Sequence, residues 1–137
     1  GGKPFTLVNM DYGPQVLWPE HCVIGSQGAE FHPDLRLDRA ECVIRKGFRA
    51  AIDSYSAFYE NDYKTPTGLA GYLRERDLDD LYFVGLAYDF CVAWSAVDAA
   101  RLGFQVSVIE AATRAIDLNG SREGARQTML DAGVRLL

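Results

Sequence analysis

A cysteine that arrives directly after an apolar strand, at the first turn of a helix, is placed to act as a thiolate nucleophile. Cys91 has that setting in Gly85-Leu86-Ala87-Tyr88-Asp89-Phe90-Cys91-Val92. The unpaired N–H groups and positive dipole end of a helix start stabilise a thiolate. The same N–H groups can hold the oxyanion formed when the thiolate attacks a carbonyl. On position alone, a small buried residue filling a strand–helix junction explains Cys91 equally well. Lys46 shifts the balance. It ends the short run Glu41-Cys42-Val43-Ile44-Arg45-Lys46, and a lysine at the end of a neighbouring strand points into the same crevice, where its charge favours the thiolate. An exposed strand-end lysine is the plain alternative. Taken together, the two residues point to acyl transfer through cysteine.

The elements that must position them follow from the hydrophobic pattern. Residues 1–35 carry Gly, Pro, Asn and Asp at short intervals and predict a long ordered loop, anchored by Phe5, Tyr12, Trp18 and Phe31. The run 41–46, closed by Gly47, predicts a strand, and residues 48–64 a second irregular region rich in aromatics. A helix is expected from Thr65-Pro66-Thr67 to about Arg76, with a hydroxyl cap and Pro in its first turn. Residues 81–87 form a continuous apolar run of strand length, as in a strand covered on both faces. A helix is then expected over 91–102, with Ser95, Asp98 and Arg101 as a narrow polar stripe, flanked by Trp94, which could reach an interface. Phe104 to Ile109 predicts a strand, Ser121 caps a helix to about Ala132, and Val134 to Leu137 predicts a last strand. This alternation implies a single α/β domain over residues 1–137, with a parallel sheet, right-handed crossovers and helices on both faces. Ligands of such sheets sit outside the carboxyl ends of the strands, where Lys46 and Cys91 both fall.

Composition excludes several function classes. With 137 residues, 48% hydrophobic and 24% charged, the chain is an ordinary globular one. A net charge of −5 without a basic run argues against a nucleic-acid partner. No stretch of about 18 apolar residues is present to span a membrane, and the first residues are not a signal peptide. Cys22, Cys42 and Cys91 are an odd number at wide spacings, neither a disulfide framework nor a zinc pattern. A reducing, cytoplasmic location is expected, and Cys42 is expected to be a buried small hydrophobe.

Four separate motifs, in order along nearly the whole chain, resemble one family. They are Trp18-Pro19-Glu20-His21-Cys22 with Gly25-Ser26-Gln27-Gly28-Ala29, then Ile44-Arg45-Lys46-Gly47, then Asp53-Ser54-Tyr55-Ser56-Ala57-Phe58, and finally Gly85 to Val92. Each is weak alone; together they resemble the nicotinamidase/pyrazinamidase branch of the isochorismatase-like cysteine hydrolases. The resemblance implies a three-layer α/β/α, doubly wound, mostly parallel sheet. It also implies hydrolysis of nicotinamide and pyrazinamide-like amides to the acid and ammonia through a cysteine thioester. Cys91 matches the nucleophile and Lys46 the lysine of an Asp–Lys–Cys triad. The Leu86–Ala87 peptide matches a bond that is cis in the family, with the N–H groups of Ala87 and Cys91 forming the oxyanion hole. His21 matches one ligand of a divalent metal ion (Zn, Mn or Fe), while Trp18 and Tyr55 match aromatics of the pyridine pocket. Phe90 sits where some relatives carry His and is expected to touch substrate. His32 is assigned to structure.

No acidic residue upstream of His21 matches the triad aspartate, and Asp11 lies in a Tyr/Gly/Pro loop. The family's first core strand, that aspartate and most metal ligands are therefore expected from an N-terminal segment preceding Gly1, without which neither activity nor good folding is expected. A carbamoyl or ureido hydrolase of the same superfamily, needing no metal, is the alternative enzyme. A fold-retaining domain acting by binding or assembly, as a homo-oligomer, is the non-enzymatic one.

Overall fold

The structure is a computed structural model describing residues 2–137. The chain divides into two compact units, residues 1–43 and 44–137.

The first unit is not the uninterrupted loop that its composition predicts. Strands β1 (Leu7–Met10) and β2 (Gly13–Val16) pair antiparallel as a hairpin, with Met10 opposite Gly13. The two-residue turn is Asp11-Tyr12, so Asp11 is an exposed turn residue. Gly13 and Pro14 hide this strand from pattern reading, because both are depleted in strands and Pro is confined to edges. Backbone bonds from Phe5 N to Leu17 O (2.6 Å) and Leu17 N to Thr6 O (2.9 Å) extend the ladder. Phe5 and Trp18 close it edge to face at 6.0 Å.

The run 41–46, which straddles the division between the units, forms no strand; Ile44 to Lys46 have no ladder partners among the described residues. Cys42 is exposed, contrary to its expected burial. Three apolar residues do not outweigh the loss of hydrogen bonding when no neighbouring strand is at hand. The irregular stretch that follows holds Phe58, 2% exposed. Helix α1 (Leu69–Arg74) starts later than expected, since Pro66 bridges to Tyr59 instead of opening the helix. Its Thr67 hydroxyl donates to Ala57 O (2.6 Å) and accepts from Leu69 N (3.2 Å).

The sheet has the order β3-β4-β5, all parallel: β3 (Asp80–Leu86), β4 (Gln105–Arg114) and β5 (Arg135–Leu136). β4 runs past Ile109 because Thr113 and Arg114 re-pair with β3 beyond an irregularity. Phe83 faces Val108, whereas Gly85 faces Thr113. Gly85 takes φ +107 there, a value that L side chains rarely adopt. Helices α2 (Ala93–Arg101) and α3 (Ser121–Asp131) contact each other, and touch β4 and β5 respectively. Ser121 does not cap α3; Gly120, with φ +81, takes that position.

The core gathers Phe58, Val92, Ala96, Val108 and Met129. Burying a side chain of the size of Phe58 contributes roughly 1.5–3 kcal/mol. β3 departs from its expected coverage on both faces. Leu81 and Phe83 are half-buried, but Tyr82, Val84 and Leu86 are 57%, 55% and 73% exposed. No helix among the described residues is long and apolar enough to cross a membrane.

Candidate active site

The carboxyl end of β3 delivers the cysteine. The Leu86–Ala87 peptide is cis, as the resemblance implies. Residues Tyr88–Val92 then make one π-helical turn before α2 begins. Cys91 therefore lies in this wide turn, one turn earlier than a regular α-helix start, and is half-buried. Such turns recur at functional sites because they re-aim a side chain within a helix.

Lys46 reaches the cysteine although no strand carries it. Its Nζ stands 3.5 Å from Cys91 Sγ and donates to Ser54 O at 2.9 Å. Two anchors thus hold an ammonium against a sulfur 45 residues away in sequence. The segment that supplies Ser54 is itself fixed. Asn61 Oδ1 accepts from Tyr55 N (2.9 Å), and Asn61 N donates to Asp53 O (2.8 Å).

Ser95 ties the same segment to the cysteine turn. Its hydroxyl donates to Cys91 O (2.6 Å) and accepts from Ala57 N (2.8 Å). The expected polar stripe is thus largely internal: Ser95 and Asp98 are buried, and Arg101 alone of the three is exposed. Tyr55, 8% exposed, packs edge to face on Phe90 at 5.6 Å and on Trp94 at 5.2 Å. Trp94 is half-buried and also stacks on Tyr63. Cys91, Lys46, Ala87, Tyr55 and Phe90 are thus gathered in one unit.

Asp89 was not singled out from the sequence. It is buried, and its carboxylate accepts from Ile116 N (3.0 Å), Asp117 N (2.7 Å) and Ser121 Oγ (2.5 Å). It therefore pins the cysteine turn to the loop entering α3. A signal existed: Asp89 is the one carboxylate between Asp80 and Asp98, inside an apolar run where an acid must find donors. Burial pushes its carboxyl up, but the bonds from Ser121, Ile116 and Asp117 outweigh this and hold it below the usual range.

A carboxyl lowered on folding contributes stability that is complete above its unfolded value and lost as pH falls through its folded value. Asp89→Asn is expected to lower unfolding free energy at neutral pH by about 1–3 kcal/mol. The gap from wild type should narrow as pH falls below about 4. Urea midpoints measured from neutral to acid pH check both parts; a gap that is constant across that range contradicts them.

In the first unit, His21 is exposed and its Nδ1 lies 2.6 Å from Pro19 O. Donation from Nδ1 leaves Nε2 as the free lone pair, the tautomer of an oriented metal ligand. Among the described residues no group of three or more His, Cys, Asp or Glu converges to hold an ion. His21 thus offers one donor, and no full ligand set accompanies it among the described residues. His32 is exposed, with Nδ1 accepting from Asp34 N at 3.2 Å, a local turn contact consistent with a structural part.

Residues 5–137 match the isochorismatase domain. Over 135 residues the chain is 57% identical to the nicotinamidase of Acinetobacter baylyi, a match covering 98% of this chain and 63% of that protein. A solved nicotinamidase/pyrazinamidase of Acinetobacter baumanii superposes with a TM-score of 0.98 at 58% identity, over 100% of this chain and 66% of that one. A pyrazinamidase of Pyrococcus horikoshii, solved in complex with zinc, gives a TM-score of 0.73 at 30% identity, over 88% of this chain and 62% of its own. The chain therefore spans just under two-thirds of the length of these relatives.

Proposed function

The chain belongs to the isochorismatase family, and we propose that it is the cysteine-bearing part of a nicotinamidase. The observation that carries this reading is the 3.5 Å contact of Lys46 Nζ with Cys91 Sγ at the turn after β3. A cation held there by Ser54 O has no structural need of a thiol beside it. A nucleophile does have need of the cation.

In the proposed reaction Cys91 Sγ attacks the carboxamide carbon, forming a C–S bond and moving the carbonyl π electrons onto oxygen. The N–H groups of Ala87 and Cys91 hold that oxyanion. Collapse of the intermediate breaks the C–N bond, and ammonia leaves after taking a proton from a carboxylic acid. Water then gives a proton to that carboxylate as its oxygen attacks the thioester carbon; the C–S bond breaks, nicotinic acid is released, and the Cys91 thiolate and the proton-donating acid are regenerated. Tyr55 and Phe90 form an aromatic wall that suits a flat pyridine ring. His21 is assigned to a divalent metal through Nε2, where the metal would supply Lewis-acid positioning of a ligand. The proton-donating acid and the remaining ligands are assigned to polypeptide outside residues 1–137. Tyr82, Val84 and Leu86 on the exposed face of β3 are the apolar surface such a segment would cover.

Ammonia release tests this reading. A polypeptide carrying residues 1–137 and extending to the length of the relatives is expected to release ammonia from nicotinamide, and residues 1–137 alone are not. A metal-loaded polypeptide of that length that leaves nicotinamide intact, yet releases ammonia from a ureido compound, sinks the assignment.

A further inference from the structure

Between α2 and α3 lies a cavity of about 310 Å³, with Tyr63, Trp94, Val97, Asp98, Gly124 and Ala125 in its lining. Its walls mix apolar and aromatic side chains with Arg101, Ser121 and Thr128, while Asp98 is only 6% exposed and its Oδ2 has no hydrogen-bond partner among the described residues. Arg101 stands 3.9 Å from the other carboxylate oxygen with a side chain 65% exposed, and an ion pair so open to water contributes little. Burial pushes the Asp98 carboxyl up, while the Ser56 hydroxyl and the Arg101 charge pull it back only in part. Asp89 also lines the cavity, but its three donors already satisfy it. Asp98 thus keeps one oxygen without a partner beside a single open ion pair, and a buried carboxylate in that condition is costly.

Two further observations point to an occupant. The rings of Tyr63 and Trp94 stack with centroids 5.5 Å apart and planes at 21°, and aromatic faces attract cations. Gly124 lies inside α3, where glycine weakens a helix. A Cβ built there meets nothing within 4 Å, so the missing side chain keeps space open and relieves no clash. Apolar pockets with a few convergent polar groups are where small ligands bind.

We propose that the α2–α3 cavity is a binding site for a small planar organic cation, of the arylamidinium kind, held by the Asp98 carboxylate and the Tyr63–Trp94 pair. The cavity does not include Cys91 or Lys46 in its lining, so it stands whatever their part in chemistry.

The test is calorimetric titration of the full chain with benzamidine, and with its neutral near-isostere acetophenone. Two variants serve, each checked for an unchanged thermal transition. Asp98→Asn removes the charge and keeps the shape, and Gly124→Leu fills the space while favouring the helix. Benzamidine is expected to bind wild type at one site and acetophenone more weakly. Asp98→Asn is expected to lose about tenfold or more in affinity, as loss of a desolvated charge partner does, and Gly124→Leu to lose binding altogether. Should Asp98→Asn fail to fold, Gly124→Leu decides. Equal affinity for wild type and Gly124→Leu overturns the proposal, as does absence of binding to folded wild type at millimolar benzamidine.

Discussion

Cys91→Ala is expected to lower kcat/KM for nicotinamide by about 10,000-fold or more, because loss of a nucleophile removes the covalent route itself. The thermal transition should hardly move. Cys91 is half-buried and outside the packed core, and its backbone carbonyl, which accepts from Ser95 at 2.6 Å, stays in place. Alanine also retains the N–H assigned to the oxyanion, so what vanishes is the thiolate alone. A steady-state ammonia assay paired with a melting curve checks the claim. Turnover within tenfold of wild type would remove Cys91 from the chemistry.

Lys46→Met comes second, with an expected loss of about 100- to 1,000-fold in kcat, roughly 3–4 kcal/mol of transition-state stabilisation. Methionine keeps the length of the side chain and deletes the charge 3.5 Å from Cys91 Sγ. It also leaves Ser54 O without its Lys46 donor, so a modest fall in stability of about 1 kcal/mol should accompany the loss. The split between the constants is informative. A cation acting on the sulfur changes kcat and kcat/KM together, whereas one that merely helps to bind substrate raises KM with kcat unchanged. Kinetics over a range of nicotinamide concentrations distinguish the two, and a pure KM effect contradicts the role assigned to Lys46.

How far the sequence disclosed this molecule depended on whether order came from local pattern or from distant partners. Residues 81–86 are a continuous apolar run and Phe104 to Ile109 a short segment with four apolar residues, and both contribute strands of a parallel sheet. Gly103 and Gly133 mark helix ends as expected, each at positive φ. The Cys91–Lys46 pairing was also legible, but the element assigned to Lys46 was not. The lysine is placed by Ser54 O and the sulfur instead of by a strand, and such tertiary anchoring leaves no periodicity to read. The β1–β2 hairpin was missed because Gly13 and Pro14 mask it. The π-helical turn at 88–92 was missed because Asp89 bonds across 27 to 32 residues, to Ile116, Asp117 and Ser121. Ser95 and Asp98 read only as a narrow polar stripe because helical spacing gives a face, not what covers it; the Ala57 N–H and the Ser56 hydroxyl cover it here.

The most direct test of the central claim is to look for the acyl-enzyme. A polypeptide carrying this chain, and active on nicotinamide, would be mixed with 4-nitrophenyl nicotinate. Its good leaving group makes deacylation the slow step, so a thioester accumulates. The mixture is quenched in acid and peptides are mapped by mass spectrometry. The expected result is one nicotinoyl group on the peptide bearing Cys91, formed at the rate of nitrophenol release and suppressed by nicotinamide. Nitrophenol release and nicotinamide turnover with Cys91 unmodified throughout, or with acyl groups confined to Cys22 and Cys42, would contradict it.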